Sequence, residues 1–394
     1  MGSTKTGDKD GMSVERGENG LTLRDMKSDT RINTHTETQP NTAPAQAQAP
    51  RYDEIKLGID WHADHYRVSR MIDGTPPQPA QRFSPKAFLS FAQEQLKLGK
   101  KVYSCYEAGA GGYVLHRSLT KLGVQNYVVH PVKLDRRHTG VATDKTDSHE
   151  LVLDLDRFLH GNDKALCAVY VPTPEQEQQR ALARQREQLR KERHRLGSIG
   201  RSLLLTQGWR EKTTWWRQRR WENLSQEIPE WVREQLEVWR ELLQKVEKQL
   251  QALTAQVEAN APPARPKGLG PLGFSLLVAE VCSWDRFKKA RQVGGYTGLC
   301  GGVSSSGPHH LDLSITKTGN ARFRRLLIEL AWRMVLYQPN YAPVKKWGAI
   351  LLGLRTHARR KKQLIVALAR QLAVDLWRWQ TGQVTAEQLG WVMA

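Results

Sequence analysis

Long apolar runs, cysteine motifs and an excess of acidic residues are all missing from this sequence of 394 residues. No stretch of about eighteen uncharged apolar residues occurs, and the first residues lack an apolar signal core, so we expect neither membrane insertion nor secretion. A cytoplasmic location without a membrane partner is therefore expected. The four cysteines show no CxxC or Cys/His spacing, which argues against a zinc site and against a disulfide framework.

Basic residues dominate the charge. Lysine plus arginine outnumber aspartate plus glutamate by 60 to 40, which gives a formal net charge of +20. A balance of this kind suits a polyanionic partner such as nucleic acid. The hydrophobic content of 39% is high enough for real cores, and the length allows two or three domains.

The composition and periodicity of the sequence divide the chain into four segments. Residues 1–50 mix small, polar and charged residues without periodicity, which predicts a disordered tail. Residues 51–172 begin with an antiparallel meander, formed by IKLGID, HYRVSRMID and Gln81–Phe83, and continue as alternating helices and strands. We therefore predict an α/β layer with a mixed sheet, followed by a helical region over 173–260 and a mostly α-helical domain over 261–394.

Three helices and two further strands are predicted after the meander. The helices span Pro85–Leu98, Gly112–Leu122 and about Thr146–Leu159, and the strands are KVYSCYEA and QNYVVHP. In the helical region, apolar residues follow an alternating 4,3 spacing, which is typical of a coiled coil and implies a partner helix in this chain or in another subunit. The residues of this seam are Val232, Leu236, Trp239, Leu243, Val246, Leu250, Leu253 and Val257.

Four acidic residues form the first candidate site. Asp60 ends the first strand, Glu107 ends a later strand, and Asp144 and Asp147 lie three residues apart at the start of a helix, on one helical face. Clustered carboxylates without Cys or His ligands favour a hard cation such as Mg²⁺, and two such ions about 4 Å apart assist phosphoryl transfer. Alternatively, acidic residues at strand ends and helix starts are ordinary capping residues. Their order on an RNase H-like strand pattern supports a metal nuclease fold as strongly as the capping explanation.

A serine run followed by a basic helix forms the second candidate site, within GLCGGVSSSGPHHLDLSITKTGNARFRRLLIELAW. A flexible, glycine-flanked serine run precedes a Lys-x-Gly-Asn turn. The nucleic-acid-binding candidates in the turn and the helix are Lys317, Asn320, Arg322, Arg324 and Arg325. Together with backbone amides at the helix start, these groups are suited to hold a phosphate while a serine hydroxyl attacks it. The alternative is a linker beside a solvated basic face, and spacing alone singles out no serine.

Two further patches, WWRQRRW and RTHARRKK, mix cations with aromatic residues or precede a tryptophan-containing helix. Arginine and lysine neutralise phosphates while tryptophan stacks on unpaired bases, so single-stranded or structured RNA is a reasonable partner. A charged helix face with its tryptophans in the core explains each patch equally well.

The order of these motifs resembles the DEDD-type insertion-sequence transposases, relatives of the Piv DNA invertases that are also described as bridge-RNA-guided serine recombinases. The resemblance extends from about residue 55 to 385. It is carried by LGIDWH, YEAGAGGYVLHRSL, VATDKTDSHEL, VPTPEQEQQRALARQREQLRKER and SSSGPHHLDLSITKTGNARFRRLLIELAWRMVLYQP.

The resemblance implies a RuvC-like domain in which Asp60, Glu107, Asp144 and Asp147 bind magnesium, a coiled-coil linker and a C-terminal transposase domain with a catalytic serine. In this family the nucleophilic serine stands immediately before a glycine. In this sequence that serine is Ser306, and Ser305 is the alternative. The implied partners are donor and target DNA, an element-encoded guide RNA and further copies of the chain, from a dimer to a tetramer. The implied reaction cuts and rejoins DNA through phosphoserine linkages.

Two other functions stay open at this point. A Holliday-junction resolvase or another metal-dependent nuclease would use only the carboxylates and leave free ends. A nucleic-acid-binding structural protein with an inactive site would show salt-sensitive binding without cleavage.

Overall fold

The computed structural model of the chain describes residues 49–130, 144–212, 214–306 and 309–394, without the side chains of residues 144–146, 306, 309, 310 and 312. The predicted tail therefore lies almost wholly outside the described residues. Within the described ranges, no helix combines the length and the apolar character needed to cross a membrane. Residues Pro50–Ala394 pack as one unit, and the segment boundaries within them stay predictions.

A five-stranded mixed sheet forms the first half of this unit, as predicted. Its strands lie in the order β3-β2-β1-β4-β5, with β1, β2 and β3 antiparallel and β4 and β5 parallel to β1. The strands are β1 Tyr52–Trp61, β2 Tyr66–Ile72, β3 Gln81–Phe83, β4 Gly99–Glu107 and β5 Gln125–Val129. The meander predicted from turn residues and β-branched residues is thus confirmed.

Helices cover both faces of the sheet. They are α1 Pro85–Leu98, α2 Val114–Leu122 and α3 Asp144–Leu159. Helix α1 begins where the Ser84 hydroxyl accepts a hydrogen bond from the amide of Ala87, with a proline in its first turn. Helices α1 and α2 bury Phe88 and Leu119 against one face, and α3 buries Leu151 and Leu155 against the other.

A long antiparallel helix pair follows the sheet. The helices of this region are α4 Pro174–Thr206, α5 Gln218–Glu227 and α6 Glu230–Ala259. Helix α4 starts with a capping box, in which Thr173 and Gln176 bind each other's backbone amides. The apolar seam predicted on α6 packs against α4, so a partner helix for the seam is present in the same chain. The seam residues that are buried are Val232, Leu236, Leu243, Leu250 and Val257.

The last part of the chain is mostly α-helical, as predicted. Its helices are α7 Pro271–Val281, α8 Ala290–Thr297, α9 Ala321–Tyr337, α10 Ala342–Leu352 and α11 Ala358–Gln380. They enclose the largest core cluster, in which Phe274, Phe323, Leu327, Leu368 and Leu372 are completely buried.

The serine run departs from the expected flexible segment. It forms strand β6 Gly301–Ser306, which pairs with β7 His309–Ile315 in an antiparallel hairpin. The apolar alternation of Leu311, Leu313 and Ile315 has the two-residue period of a strand and was the signal for it. Residues 307–308, between the two strands, lie outside the described residues.

Candidate active site

The register of β1 against β4 brings two of the four acidic residues to one edge of the sheet. The two strands are parallel, and Ile59 lies beside Tyr106. One residue further, Asp60 lies level with Glu107, on neighbouring strands that are about 4.8 Å apart. Both residues are half-buried. The ends of these two strands therefore lie side by side at one edge of the sheet.

Both residues also belong to the face of the sheet that α3 covers. Side chains alternate between faces along a strand, so Asp60 shares a face with Lys56 and Gly58, and Glu107 shares one with Cys105. Lys56 donates a hydrogen bond of 2.7 Å to Asp156 of α3, and the Cys105 thiol lies 3.3 Å from the carbonyl oxygen of Leu151 in the same helix.

Helix α3 begins at the carboxyl edge of the sheet because it runs antiparallel to β1. Going along α3, Ser148 lies over Gly58, and Asp156 lies over Lys56. Asp147 precedes Ser148, so it lies toward the edge where Asp60 and Glu107 end their strands. Asp144 starts the helix one turn earlier, and its side chain lies outside the described residues.

Gly58 permits this close approach. A Cβ atom at position 58 would lie 2.3 Å from the carbonyl oxygen of Ser148 and 2.5 Å from the amide nitrogen of Val152. Both are backbone atoms of α3, which have no rotamer by which to move aside. The buried hydroxyls of Ser148 and Ser69 lie 3.1 Å apart and join the same helix to β2. The glycine of the LGID motif therefore sets the height of α3 above the sheet.

Two neighbours of Asp60 were not among the predicted site residues. The Nε2 atom of His62 lies 3.0 Å from Oδ2 of Asp60, and the ring of His62 stacks on that of His65 with centroids 4.7 Å apart. Arg67 is the partner of Asp60 in the antiparallel register of β1 and β2. The HADH turn, residues 62–65, resembles a metal-binding motif in the sequence, and in the structure its His62 lies next to the Asp60 carboxylate.

The donor set at this edge fits magnesium in its chemistry. Asp60, Glu107 and Asp147 offer carboxylate oxygens, which are the ligands that Mg²⁺ prefers, and a protein usually holds this ion with only one or two of them. Among the described side chains, which leave out that of Asp144, no three His, Cys, Asp or Glu residues form a ready-made metal cluster. The magnesium assignment of all four acidic residues therefore stays a prediction.

The candidate serines lie at the end of an exposed hairpin. Ser305 pairs with His310, and Ser306 pairs with His309 at the last described position of β6. Val303 and Leu311 of the hairpin are 56% and 63% exposed, so no layer covers the strands at these positions. The side chain of Ser306 lies outside the described residues, and its role as nucleophile stays a prediction.

The Lys-x-Gly-Asn turn connects the hairpin to α9 by a close fit against the end of α8. Lys317 adopts a φ of 57°, and a Cβ atom on Gly319 would lie 2.1 Å from the carbonyl oxygen of Tyr296. The side-chain oxygen of Asn320 accepts hydrogen bonds from the first amides of α9, and its Nδ2 atom lies 3.0 Å from Glu280. Asn320 therefore caps and anchors the helix, and its predicted contact with nucleic acid is untested.

The arginines of α9 face acceptors within the protein. Arg322 and Arg325 each contact a carboxylate oxygen of Glu187 on α4 at 2.8 Å, and Arg324 donates to the carbonyl oxygen of Thr297. Burial alone would raise the pKa of Glu187, but the hydrogen bonds and charges of Arg325 and Arg322 outweigh it and hold this pKa below its ordinary value. Arg322 and Arg325 therefore link α9 to α4, and Arg324 links it to the end of α8.

A second acidic residue extends this link. Glu280 on α7 is almost fully buried, and both of its carboxylate oxygens accept hydrogen bonds from Arg184 of α4, at 3.2 and 3.3 Å. Its backbone carbonyl accepts a hydrogen bond from Tyr296. Two carboxylates, Glu187 and Glu280, thus join the long helix to the serine-bearing part of the chain.

The two aromatic and basic patches have different environments. Trp215, Trp216 and Trp221 of WWRQRRW are buried in the core between α4, α5 and α6, where Trp215 fits over Gly200. Their burial removes the ring faces from any base, so the core explanation is the right one for this patch. RTHARRKK, in contrast, leads into the exposed first turn of α11.

Comparison with known proteins agrees with these features. Residues 264–344, which contain α7, α8, the hairpin and α9, match the family model of the IS116/IS110/IS902 family of transposases. The chain is 32% identical to the putative transposase y4rJ of Sinorhizobium fredii over 71% of its own length and 77% of that protein. A second protein of this species, the putative transposase y4qE, is 31% identical over 70% and 74% of the two lengths.

A further relative is the transposase of insertion sequence element IS1533 from Leptospira borgpetersenii, which is 26% identical over 71% of this chain and 85% of the relative. These similarities, together with a carboxylate-bearing sheet and a basic helical domain, define a DNA-cutting and rejoining enzyme that acts in transposition. The chain belongs to the IS116/IS110/IS902 family of insertion-sequence transposases.

Proposed function

We propose that this transposase cuts and rejoins donor and target DNA through a phosphoserine intermediate, with Ser306 as the nucleophile and Ser305 as the alternative. The observation that carries the proposal is the exposed hairpin of β6 and β7, which ends at the serine run inside the family-matching residues 264–344. A nucleophile at the end of an uncovered hairpin is accessible to a phosphodiester of bulky DNA.

The reaction needs no external energy source. The serine oxygen forms a bond to phosphorus while the bond from phosphorus to one sugar oxygen breaks, and that oxygen leaves with a proton as a free hydroxyl. A hydroxyl of the new partner strand then attacks the phosphoserine and releases the serine hydroxyl. Each step exchanges one phosphate ester for another, so the strand is rejoined without ATP.

The carboxylate edge of the sheet serves the same reaction. Asp60, Glu107, Asp144 and Asp147 would hold magnesium in a RuvC-like domain, with α3 kept close to β1 by Gly58. Bound magnesium supplies stabilisation of the charge that develops on the phosphoryl oxygens. The chain's own contribution is to bring these carboxylates to one edge and to orient Asp60 through His62.

Guide RNA and assembly complete the proposal. We infer from the order of motifs that an RNA transcribed from the flank of the element pairs with the DNA and selects the sites. Sequence readout would then lie mainly in base pairing rather than in side chains. In a tetramer, the carboxylates of one subunit would meet the serine of another, and the basic surface of the chain would hold the nucleic acids.

The test is to incubate the protein with magnesium, the RNA of the element flank and matched DNA, and to look for a protein–DNA adduct on a denaturing gel. We expect an adduct with the wild-type protein and with Ser304→Ala, and its loss with Ser306→Ala or Asp60→Ala. Peptide mapping of the adduct identifies the serine, so an adduct on Ser305 would move the nucleophile by one residue.

Cleavage that survives in Ser306→Ala and Ser305→Ala with free ends would overturn the serine mechanism in favour of a metal-dependent nuclease or junction resolvase. Equal activity with and without the RNA would overturn guidance alone. Binding without cleavage under all metal and RNA conditions would favour the structural-protein alternative.

A further inference from the structure

A wide groove lies at the base of the serine hairpin, between β6, β7 and the helices α8, α10 and α11. It has a volume of about 1100 Å³, slightly above the usual range for pockets that hold a small molecule. Its apolar surface includes Leu299, Val366 and the half-buried Trp347. Leu313 and Ile315 of β7 line the same groove, so it is continuous with the strand that pairs with the serines.

The groove carries four cations: Arg291, Arg359, Lys362 and Arg370. All four are exposed, and none of the described residues forms an ion pair with any of their side chains. No described lining residue is acidic. Arg184 of α4 and Arg322 and Arg325 of α9 are different, because Glu280 and Glu187 neutralise them. The positive charge of the groove is therefore not neutralised by carboxylates of the described residues, and it is complementary to the charge of an anion.

The sequence of α11 adds to this positive charge. Its first residues, Ala358–Lys362, contain four consecutive cations, and the backbone amides at this helix start are themselves positive. Cations in a first turn repel the helix dipole and lower the stability of the helix. Such a turn gains stability when a polyanion lies against it, which agrees with the charge of the groove.

The combination of an apolar floor and a cationic rim distinguishes between kinds of nucleic acid. A duplex presents phosphates on its outside and keeps the faces of its bases stacked, whereas unpaired nucleotides present both phosphates and apolar base faces. Trp347 lies in the groove with Lys346 5.5 Å from its ring centroid, which places an aromatic face and a charge together. These features fit unpaired nucleotides.

We propose that this groove binds two or three unpaired nucleotides of a nucleic-acid strand. Along β6, Ser306 follows five residues after Gly301, which lies at the groove, and an extended strand of this length spans about 17 Å. The bound nucleotides would flank the phosphodiester at the hairpin end. The binding of a strand is argued from the groove residues alone. Only the placement of the bound strand next to a reacting phosphodiester rests on the proposed function.

The first experiment measures the affinity of the full-length protein for a fluorescent single-stranded oligonucleotide of twelve thymidines at several salt concentrations. The double variant Lys362→Gln/Arg370→Gln removes two charges from the groove. We expect its affinity to fall about ten-fold at low salt, and the slope of log K against log salt to decrease by about 1.4, since each contact with a single strand contributes about 0.7. The matched control is Lys245→Gln/Lys248→Gln, which removes the same charge from exposed positions on α6.

Equal effects of the two double variants would overturn the proposal, because the loss would then reflect net charge alone. The proposal would also be overturned if Lys362→Gln/Arg370→Gln lowered the affinity for a duplex of the same length as much as it lowers the affinity for the single strand. A matched oligouridine distinguishes RNA from DNA as the source of the unpaired strand. Since exposed cations are replaced, neither variant should unfold at a lower temperature than the wild type, and the loss of Lys362 from the start of α11 should if anything raise it.

A second measurement avoids substitution. A single strand that contains 5-bromouracil is crosslinked by light to the wild-type protein, and the crosslinked peptides are mapped. Crosslinks to the peptides that contain Trp347 or Val366 are expected, and crosslinks confined to other parts of the chain would overturn the proposal. Groove-dependent binding without any serine adduct would contradict the proposed function alone, whereas an adduct that forms normally in the groove variant with unchanged strand affinity would contradict the groove alone.

Discussion

His62 contacts Asp60 at the end of the first strand, with 3.0 Å between Nε2 of the ring and Oδ2 of the carboxylate. Asp60 and His62 are two residues apart in the sequence, at the end of β1 and the start of the turn that leads to β2. The ring of His62 is held in place because it stacks on the ring of His65. A group that fixes the direction of a carboxylate controls where its second oxygen points. His62 therefore influences the orientation of Asp60 although it is not one of the four acidic residues.

We expect His62→Ala to lower DNA cleavage about ten-fold without changing the unfolding temperature, since partners of metal-site ligands commonly have effects of this size. The measurement is the initial rate of cleavage in magnesium. His194→Ala on the surface of α4 is the control. An unchanged rate in His62→Ala would show that Asp60 is oriented by other groups.

Gly58→Ala should separate α3 from the sheet. The added Cβ atom meets two backbone atoms of α3, so we expect a loss of about 3 kcal/mol or more in the free energy of unfolding. Cleavage should fall further than stability explains, because the start of α3 carries Asp144 and Asp147. Thermal unfolding and cleavage are measured on the same samples.

Gly295→Ala is the control for this substitution, because a Cβ atom there meets nothing within 4 Å. In a helix, alanine is favoured over glycine by about 1 kcal/mol, so this variant should be as stable as the wild type or more so. A Gly58→Ala protein of normal stability and activity would contradict the close contact between α3 and β1.

Glu187→Gln should loosen the contact between α4 and α9. It removes the charge that faces Arg322 and Arg325, and we expect a loss of about 2 kcal/mol in the free energy of unfolding at pH 7. The pKa of Glu187 is lower in the folded protein than the ordinary value of 4.5, so its contribution is complete above that value and is lost as the pH falls through the folded pKa. The difference between wild type and variant should therefore shrink in acid.

Glu192→Gln on the same helix provides the comparison, because its exposed ion pair with Arg195 contributes little. Chemical denaturation at pH 7 and in acid measures both variants. A stability difference for Glu187→Gln that grows as the pH falls would contradict a lowered pKa of Glu187 in the folded protein.

Trp215→Ala should destabilise the helical region rather than weaken base stacking. The ring is completely buried and donates a hydrogen bond of 3.0 Å to the carbonyl oxygen of Gly197, so we expect a loss of about 3–5 kcal/mol. Trp231→Ala, whose ring is on the surface of α6 and 46% exposed, should cost much less. Thermal unfolding compares the two, and equal losses would contradict the core role of Trp215.

Local patterns in the sequence predicted most of the elements. The bounds of α1 and β3 follow from Ser84, the prolines and the apolar spacing, and the heptad seam of α6 finds its partner in α4. These features depend on residues close together in the chain, where capping and periodicity act. The mixed character of the sheet followed from the alternation of strands and helices.

The surroundings of the arginines on α9 were not predictable in this way. Glu187 lies 135 residues from Arg322, and Glu280 lies 40 residues from Asn320. A single sequence shows no periodicity between such distant residues, so a basic helix start reads as a phosphate site whether or not a carboxylate covers it. The serine hairpin was missed for another reason, since its serines and glycines resemble a linker and only β7 shows the period of a strand.

Because the hairpin of β6 and β7 is not covered, the selection of a nucleic-acid substrate would depend on how well that substrate orders the hairpin. A two-stranded ribbon alone is marginally stable in water, and β6 and β7 gain little from burial along their outer part. Any free energy used to hold the ribbon in a reactive geometry must then come from the nucleic acid that docks against it. Under the proposed serine mechanism, a strand that binds poorly would leave the ribbon fluctuating and the hydroxyl misaligned, so discrimination would arise before chemistry, as an induced fit.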